Sequence, residues 1–241
     1  MSTTNSLFNF KSGKPYKEYC LIGLNKFNYE VGLILLKEGH KVTVLEKDSK
    51  IINEYGKDFD HVISCDCTNI NELAEIGVEY FDYVILGITS MRESVIIATN
   101  LKELKVGNIL CKAKDSMHRK ILNALGIKIA FILEEEVAIK VAYKAMYDLN
   151  VELFSFDKDN MDTFVIRLPV LNKTLWARKI NEIAALKTLS ATIVSIKKRD
   201  GEIKVPVNGE TVIDVGDLLC LICKKEDISK VKDLFSKSPK Y

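Results

Sequence analysis

From Glu18 to about Asn150, short apolar runs rich in β-branched residues alternate with amphipathic stretches of helical length. Strand-like runs fall at 18–24, 41–47, 61–66, 80–88, 108–113 and 128–133, and helix-like stretches at 27–38, 49–57, 69–76, 91–105 and 115–125. Runs such as "YVILGI" are apolar on both faces, which a sheet covered by helices on both sides requires. Strict β-α alternation predicts an α/β fold with a Rossmann-like, doubly wound parallel sheet. "EGHKV", "ELKVGN" and "NALGIK" each place glycine just past a helix, where a left-handed residue ends it.

A longer helix is expected at 134–149, with Val137, Val141, Ala145 and Leu149 forming an apolar stripe. Three glutamates at its start complement the helix dipole. The stripe is either core or a docking surface for another subunit. From Val151 the pattern changes to strands and turns: "VELFSFDK", "MDTFVIRLPV", "SATIVSIKK", "GEIKVPV" and "DLLCLICKK", with Asp200-Gly201 as a hairpin signal. One amphipathic stretch near 175–187 and a helix near 226–236 complete a small α+β module. The expected organisation is a loose tail over 1–16, a first domain over 17–150 that ends in the 134–149 crossover helix, and a second domain over 151–241.

Composition narrows the function classes. The 241 residues are 47% hydrophobic and 28% charged, enough for a substantial core. Lys+Arg 35 against Asp+Glu 33 leaves +2, which gives no bulk electrostatic case for nucleic acid or an anionic membrane. The longest apolar runs fall short of the roughly 20 residues a spanning helix needs, and the polar start "MSTTNSLFNFKSGKPY" has no apolar signal core. A cytosolic location is expected, so the six cysteines read as thiols. Cys220 and Cys223 stand three apart in a strand and point to opposite faces, which disfavours zinc. Cys65 and Cys67 would share a face if their strand reached them.

The chemistry-bearing stretch is Gly23-Leu24-Asn25-Lys26-Phe27-Asn28, between a strand and a helix. This is the setting of a G-x-G-x-x-G dinucleotide loop, with asparagine at the second and third glycine positions. Gly23 keeps the tight turn. Asn25 either crowds a pyrophosphate or offers it an amide donor, and Asn28 is expected to push the helix slightly away from the sheet. Glu46, 23 positions after Gly23 and followed by Lys47, stands where an acidic residue holds ribose hydroxyls, and Lys26 is a cation within reach of phosphate. Two readings stay open: retained nucleotide binding, and a scaffold that has lost its ligand.

The succession "CLIGLNKFN … GHKVTVLEKD … CDCTNINELAEIGVEYFDYVILGIT … NILCKAKDSMHRKILNALGI" resembles the RCK (TrkA-N) domain. "IVSIKKRDGEIKVPVNGETVIDVGDLLCLI" is similar to the RCK-C (TrkA-C) module. Together they resemble the KtrA-like regulatory subunit of Trk/Ktr-type potassium transporters. The resemblance implies no catalysis, an adenine nucleotide (ATP or ADP, or NAD or NADH) in the first domain, and homodimers that assemble into an octameric ring. It also implies docking of that ring beneath a membrane potassium-transporter pore subunit. It carries ligand roles to the loop Gly23–Asn28, to Glu46 and Lys47, to Asp66 and Cys67 on the adenine side, to Gly87, Ile88 and Lys112 at strand ends, and to Glu134, near the phosphates and a subunit contact, as a possible ligand for a divalent cation. In the second domain it points to cyclic di-AMP at Leu175, Trp176 and Pro206.

Two alternatives have different signatures. An NAD-dependent oxidoreductase needs an acid/base beside the nicotinamide, and none of His40, His61 and His118 follows the C-terminal end of a strand; His118 is expected on a partly exposed helix face. A ligand-free ring scaffold differs from the gating reading only at Asn25 and Asn28.

Overall fold

The computed structural model describes residues 16–147, 154–155 and 162–236. The chain divides into two compact units, Met1–Leu133 and Glu134–Tyr241.

In the first unit six parallel strands, β1 (Glu18–Ile22), β2 (Lys41–Glu46), β3 (His61–Ser64), β4 (Tyr83–Leu86), β5 (Ile109–Lys112) and β6 (Ile129–Phe131), lie in the order β3-β2-β1-β4-β5-β6. The order reverses between β1 and β4, which pair in register from Tyr19↔Tyr83 to Ile22↔Leu86. Such a switch point opens a crevice beyond the strands' carboxyl ends. Helices α1 (Lys26–Lys37), α2 (Ser49–Tyr55), α3 (Ile70–Ile76), α4 (Met91–Glu103) and α5 (Ser116–Ala124) cover both faces. Leu21, Val44 and Ile85 pack with Phe59 and α1 on one face; Cys20, Ile22, Val84 and Leu86 pack with Ile97, Ala98, Leu101 and Leu122 on the other. Asp48, Asn69 and Asp115 cap α2, α3 and α5 through their side chains, each cap worth about 1 kcal/mol.

The strands are shorter than expected. Cys65-Asp66 and Gly87-Ile88 lie beyond the ends of β3 and β4, and Val78–Tyr80 forms a 3-10 turn after the left-handed Gly77. His118, expected to be partly exposed, is fully buried. Its position is set by the Asp115 cap, whose carboxylate accepts the His118 amide at 2.8 Å. Gly32 is where α1 comes closest to the sheet: a Cβ there would lie 2.4 Å from the Phe59 ring and 2.9 Å from Leu21 Cδ1.

The second unit opens with α6 (Leu133–Tyr147), which has no buried residue. Val137 and Val141 are exposed, so the core reading of its stripe is corrected; Leu149 lies outside the described residues. An antiparallel sheet follows in the order β11-β10-β13-β8-β7, formed by β7 (Phe154–Ser155), β8 (Thr163–Pro169), β10 (Ala191–Lys197), β11 (Ile203–Lys204) and β13 (Leu218–Lys224). The ribbon β9 (Arg178–Lys179) with β12 (Val212–Ile213) lies beside it. Strict alternation buries Phe164, Ile166 and Leu168 on β8 and Leu219, Leu221 and Cys223 on β13, beneath Val231 and Phe235 of α7 (Ile228–Ser236). Apart from 154–155, the strand expected at 151–158 lies outside the described residues. The amphipathic stretch at 175–187 is a succession of 3-10 turns around β9. Pairing of β9 with β12 takes up its backbone, and Ala177 breaks it with φ 54°.

Candidate functional site

The crevice at the switch point is built by the ends of β1, β2, β3 and β4. Gly23 adopts φ 83°, and its amide donates to the Leu45 carbonyl at 2.8 Å, so the loop turns toward β2. This brings the Leu24 amide to Glu46 Oε2 at 2.7 Å, while Glu46 Oε1 accepts the Asp48 amide at 2.9 Å. The carboxylate is thus fixed at the mouth by two backbone donors, and each oxygen keeps acceptor capacity for a hydroxyl.

Asn25 is the N-cap of α1. Its Oδ1 accepts the Asn28 amide at 3.0 Å, and its Nδ2 donates across the switch point to the Gly87 carbonyl. Of the two roles open to Asn25, the folded chain uses the amide donor, but toward β4. Asn28 does not displace the helix. Its amide is fully buried in the split between β1 and β4 and donates to the carbonyls of Gly23 at 2.7 Å and Ile22 at 3.0 Å. The amide satisfies the Gly23 carbonyl where the two strands part at no cost in buried charge, and is a second donor to the Ile22 carbonyl, which also accepts the Gly87 amide at 3.0 Å. Its Oδ1 is buried without a partner.

The remaining expected residues divide into two groups. Glu46, Lys47, Asp66, Cys67 and Ile88 join Gly23 around a cavity of about 30 Å³, together with Thr68, Glu93 and Ile97. Asp66 accepts from the Thr68 amide (3.1 Å) and hydroxyl (2.7 Å), which hold its carboxyl below the usual carboxylate range. Lys47 pairs with Glu93 at 2.5 Å. Asn25, Gly87 and Lys112 stand outside this lining. Lys26 and Phe27 begin α1; the Lys26 side chain turns outward and pairs with Glu30 at 2.6 Å rather than facing the crevice. Glu93 was not anticipated, although Ser90-x-x-Glu93 at the start of α4 carries a capping signature that could have marked it.

Cys65 and Cys67 are both buried, with sulfurs 3.8 Å apart. Burial raises both thiols above their ordinary range, so they line the floor as small neutral groups. Among the described residues, no group of three or more His, Cys, Asp or Glu side chains could hold a metal ion.

In the second unit a separate open cleft of about 850 Å³ is lined by Lys173, Trp176, Lys198, Arg199, Asp214 and Asp217, among others. Trp176 is 73% exposed. It is held out by a short turn whose N-cap, Asn172, accepts from the Thr174 amide and hydroxyl and donates to the Leu234 carbonyl at 2.8 Å. Leu175 is buried in the core, which corrects its expected place at an effector surface. Pro206 is exposed and stands outside the cleft lining.

Residues 19–133 match the TrkA-N domain and residues 165–236 the TrkA-C domain. The chain belongs to the TrkA-N/TrkA-C family. It is 30% identical over 213 residues to the uncharacterized protein MG323 homolog of Mycoplasma pneumoniae, covering 88% of this chain and 91% of that one. It is 27% identical over 218 residues to Ktr system potassium uptake protein A of Bacillus subtilis, covering 90% and 96%. The fold matches the GsuK channel with TM-score 0.65 at 16% identity, and the same channel bound to NAD with TM-score 0.62; the chain spans 41% of either channel chain.

TrkA-N/TrkA-C chains are regulatory rather than catalytic, and the dehydrogenase alternative falls away. Within the TrkA-N half, His40, His61 and His118 all lie outside the crevice lining. In the TrkA-C half, Cys220 is half-exposed and Cys223 buried, on opposite faces of β13. Glu134 begins α6 with Glu135 and Glu136 in the same turn. Among the described residues no helix is long and apolar enough to cross a membrane.

Proposed function

We propose that this chain is the cytoplasmic regulatory subunit of a potassium uptake system, held at the inner face of the membrane by a Ktr/Trk-type pore subunit and switched by an adenine nucleotide. One observation carries the reading: both domains occur in order and align with a Ktr potassium uptake protein over 96% of its length. The NAD held by a GsuK channel of the same fold supports a nucleotide in the first unit. Glu46 receives the ribose hydroxyls, Asp66 and Cys67 border the adenine, and the Lys26 and Phe27 amides at the start of α1 receive phosphate, since they have no helical carbonyl before them. Lys47, Ile88, Gly87 and Lys112 form the rim. Glu134 is the residue proposed for a divalent cation near a subunit contact.

The uncovered stripe Val137 and Val141 on α6 supports pairing with a second copy, and pairs build the octameric ring. Nucleotide exchange then shifts the population between two ring shapes, to the extent that the two shapes differ in affinity. In the second unit, Trp176 offers a stacking surface beside Lys173 and Arg199, which supports cyclic di-AMP as a second effector.

Potassium-analogue uptake by cells carrying the pore subunit, with and without this chain, tests the proposal; uptake unchanged by the chain sinks it. Light scattering on the purified protein tests the ring, and a monomer at micromolar concentration counts against it. One observation favours the second reading, a ring scaffold without nucleotide: the crevice is reduced to about 30 Å³, and beside it the Asn25 amide ties the loop to Gly87. Calorimetric titration with ATP, ADP, NAD, NADH and cyclic di-AMP separates the two.

A further inference from the structure

We infer that the crevice of the first unit accepts an adenosine phosphate whose phosphate chain ends in solvent and excludes dinucleotides, with Asn25 as the residue that sets this choice. The inference rests on the nucleotide reading above and narrows it.

In a dinucleotide loop the second glycine has no side chain because the pyrophosphate passes there, between the loop and the end of the fourth strand, toward the second nucleoside. Here that passage holds the Asn25 side chain. Its oxygen is committed to the Asn28 amide and its nitrogen to the Gly87 carbonyl, so the amide ties the loop to the end of β4. Asn28 backs the tie from below: its own amide holds Gly23 and Ile22, and the loop cannot sink toward the sheet to let a diphosphate through. Ile88 closes the same point from above, since its Cδ1 lies 2.7 Å from where a Cβ on Gly23 would stand.

The cavity ends there. From Gly23 and Ile88 its lining runs toward Glu46, Asp66 and Thr68, at the ends of β2 and β3, with Glu93 and Ile97 of α4 alongside and neither Asn25 nor Gly87 in it. That is the adenosine side, and it keeps a ribose-type acceptor in Glu46. A rotamer change at Ile88 enlarges this half without breaking a hydrogen bond. Opening the other half breaks the Asn25–Gly87 tie and leaves a partly buried carbonyl unpaired, a cost that falls on a dinucleotide and not on a mononucleotide.

Calorimetry on the full chain with AMP, ADP and NAD tests the inference in wild type, Asn25→Gly and Asn25→Ser. Glycine is well tolerated at an N-cap, so the first variant folds. Serine keeps the cap but is too short to reach Gly87, which separates capping from the tie. The expected result is wild-type NAD affinity at least about tenfold below that of ADP, with both variants narrowing that ratio about tenfold. Wild type binding NAD as tightly as ADP overturns this inference and leaves nucleotide binding standing. An unchanged ratio in both variants removes Asn25 from the role. No binding of any of the three by any form overturns this inference and the nucleotide reading together.

Discussion

At the switch point of the first unit the buried polar residue is a neutral amide, Asn28, while in the second unit it is an ion pair, Lys198 with Asp217. Asn28 bonds backbone carbonyls of β1 and fills the gap between β1 and β4. Lys198 Nζ reaches Asp217 Oδ2 at 2.6 Å, Asp214 Oδ2 at 3.0 Å and the Val212 carbonyl at 3.1 Å, and so pins the turn between β12 and β13 to the β10 hairpin. Both devices tie segments distant in sequence, at different cost. The amide carries no charge and no desolvation penalty of that size; the Asp217 carboxylate, 2% exposed, is tolerable only while its cation stays. The first unit therefore closes its crevice with groups indifferent to pH and salt, and the second holds an open cleft with groups that are not.

The largest expected effect lies on the ionic side. Asp217→Ala is expected to destabilise the second unit by about 2–3 kcal/mol, because it removes the buried carboxylate that holds both the Lys198 ammonium and the Asp214 amide, although Lys198 keeps Asp214. Urea unfolding followed by the fluorescence of Trp176, the single tryptophan of the chain, reads that unit directly; a loss under about 1 kcal/mol would make the pair a surface one in energetic terms. Next comes Asn28→Leu, similar in volume but unable to donate. It leaves the Gly23 carbonyl without this donor, while the Ile22 carbonyl keeps the Gly87 amide, at a cost of about 2 kcal/mol. An unchanged denaturation midpoint would show that the amide ties nothing. Gly32→Ala forces a methyl group against Phe59 and is expected to cost about 1–2 kcal/mol, partly recovered by Phe59→Leu. Failure of that rescue would place the strain elsewhere.

The smallest effect concerns pH and a buried residue of the first unit away from the two asparagines. The Lys114 amide donates to His118 Nδ1 at 3.1 Å, so the proton sits on Nε2, which is buried without a partner. Burial lowers the pKa of His118 from its ordinary 6.5, against the opposing pull of Asp115. The unfolded chain therefore takes up the proton first as pH falls. The stability that neutral His118 contributes is complete above 6.5 and is lost below it, as pH falls toward the folded-state value. His118→Gln is expected to flatten this part of the stability profile, measured by thermal unfolding between pH 7 and 5 in steps of roughly half a unit; an identical slope would assign the pH dependence to other groups.

Much of the fold was legible because periodicity and caps are local. The β-α alternation, the hairpin at Asp200-Gly201 and the caps at Asp48, Asn69 and Asp115 each depend on residues a few positions apart. The strand ends were overextended where Cys65 and Ile88 stay apolar after the ladder has ended, because they line a crevice mouth rather than a sheet. The 175–187 stretch misled for a related reason: its amphipathic spacing belongs to a segment whose backbone is taken up by β12, 33 positions later at Lys179↔Val212. Of the candidate site, Gly23, Glu46, Asp66 and Cys67 were placed together as expected from the loop and the strand ends. Lys26 was not, because a neighbour one helical turn away, Glu30, holds it outside.

The sequence by itself determined two successive domains, a parallel sheet followed by a small α+β module, and a phosphate-type loop carrying asparagine for glycine, since each is written in short-range spacing and residue type. Whether those asparagines obstruct, donate or tie was decided only in three dimensions. An amide has both donor and acceptor faces, and its role depends on which backbone groups the switch point leaves unpaired within reach. For Asn25 and Asn28 those groups are Gly87, on a strand about 60 residues away in the chain, and Gly23 beside the turn.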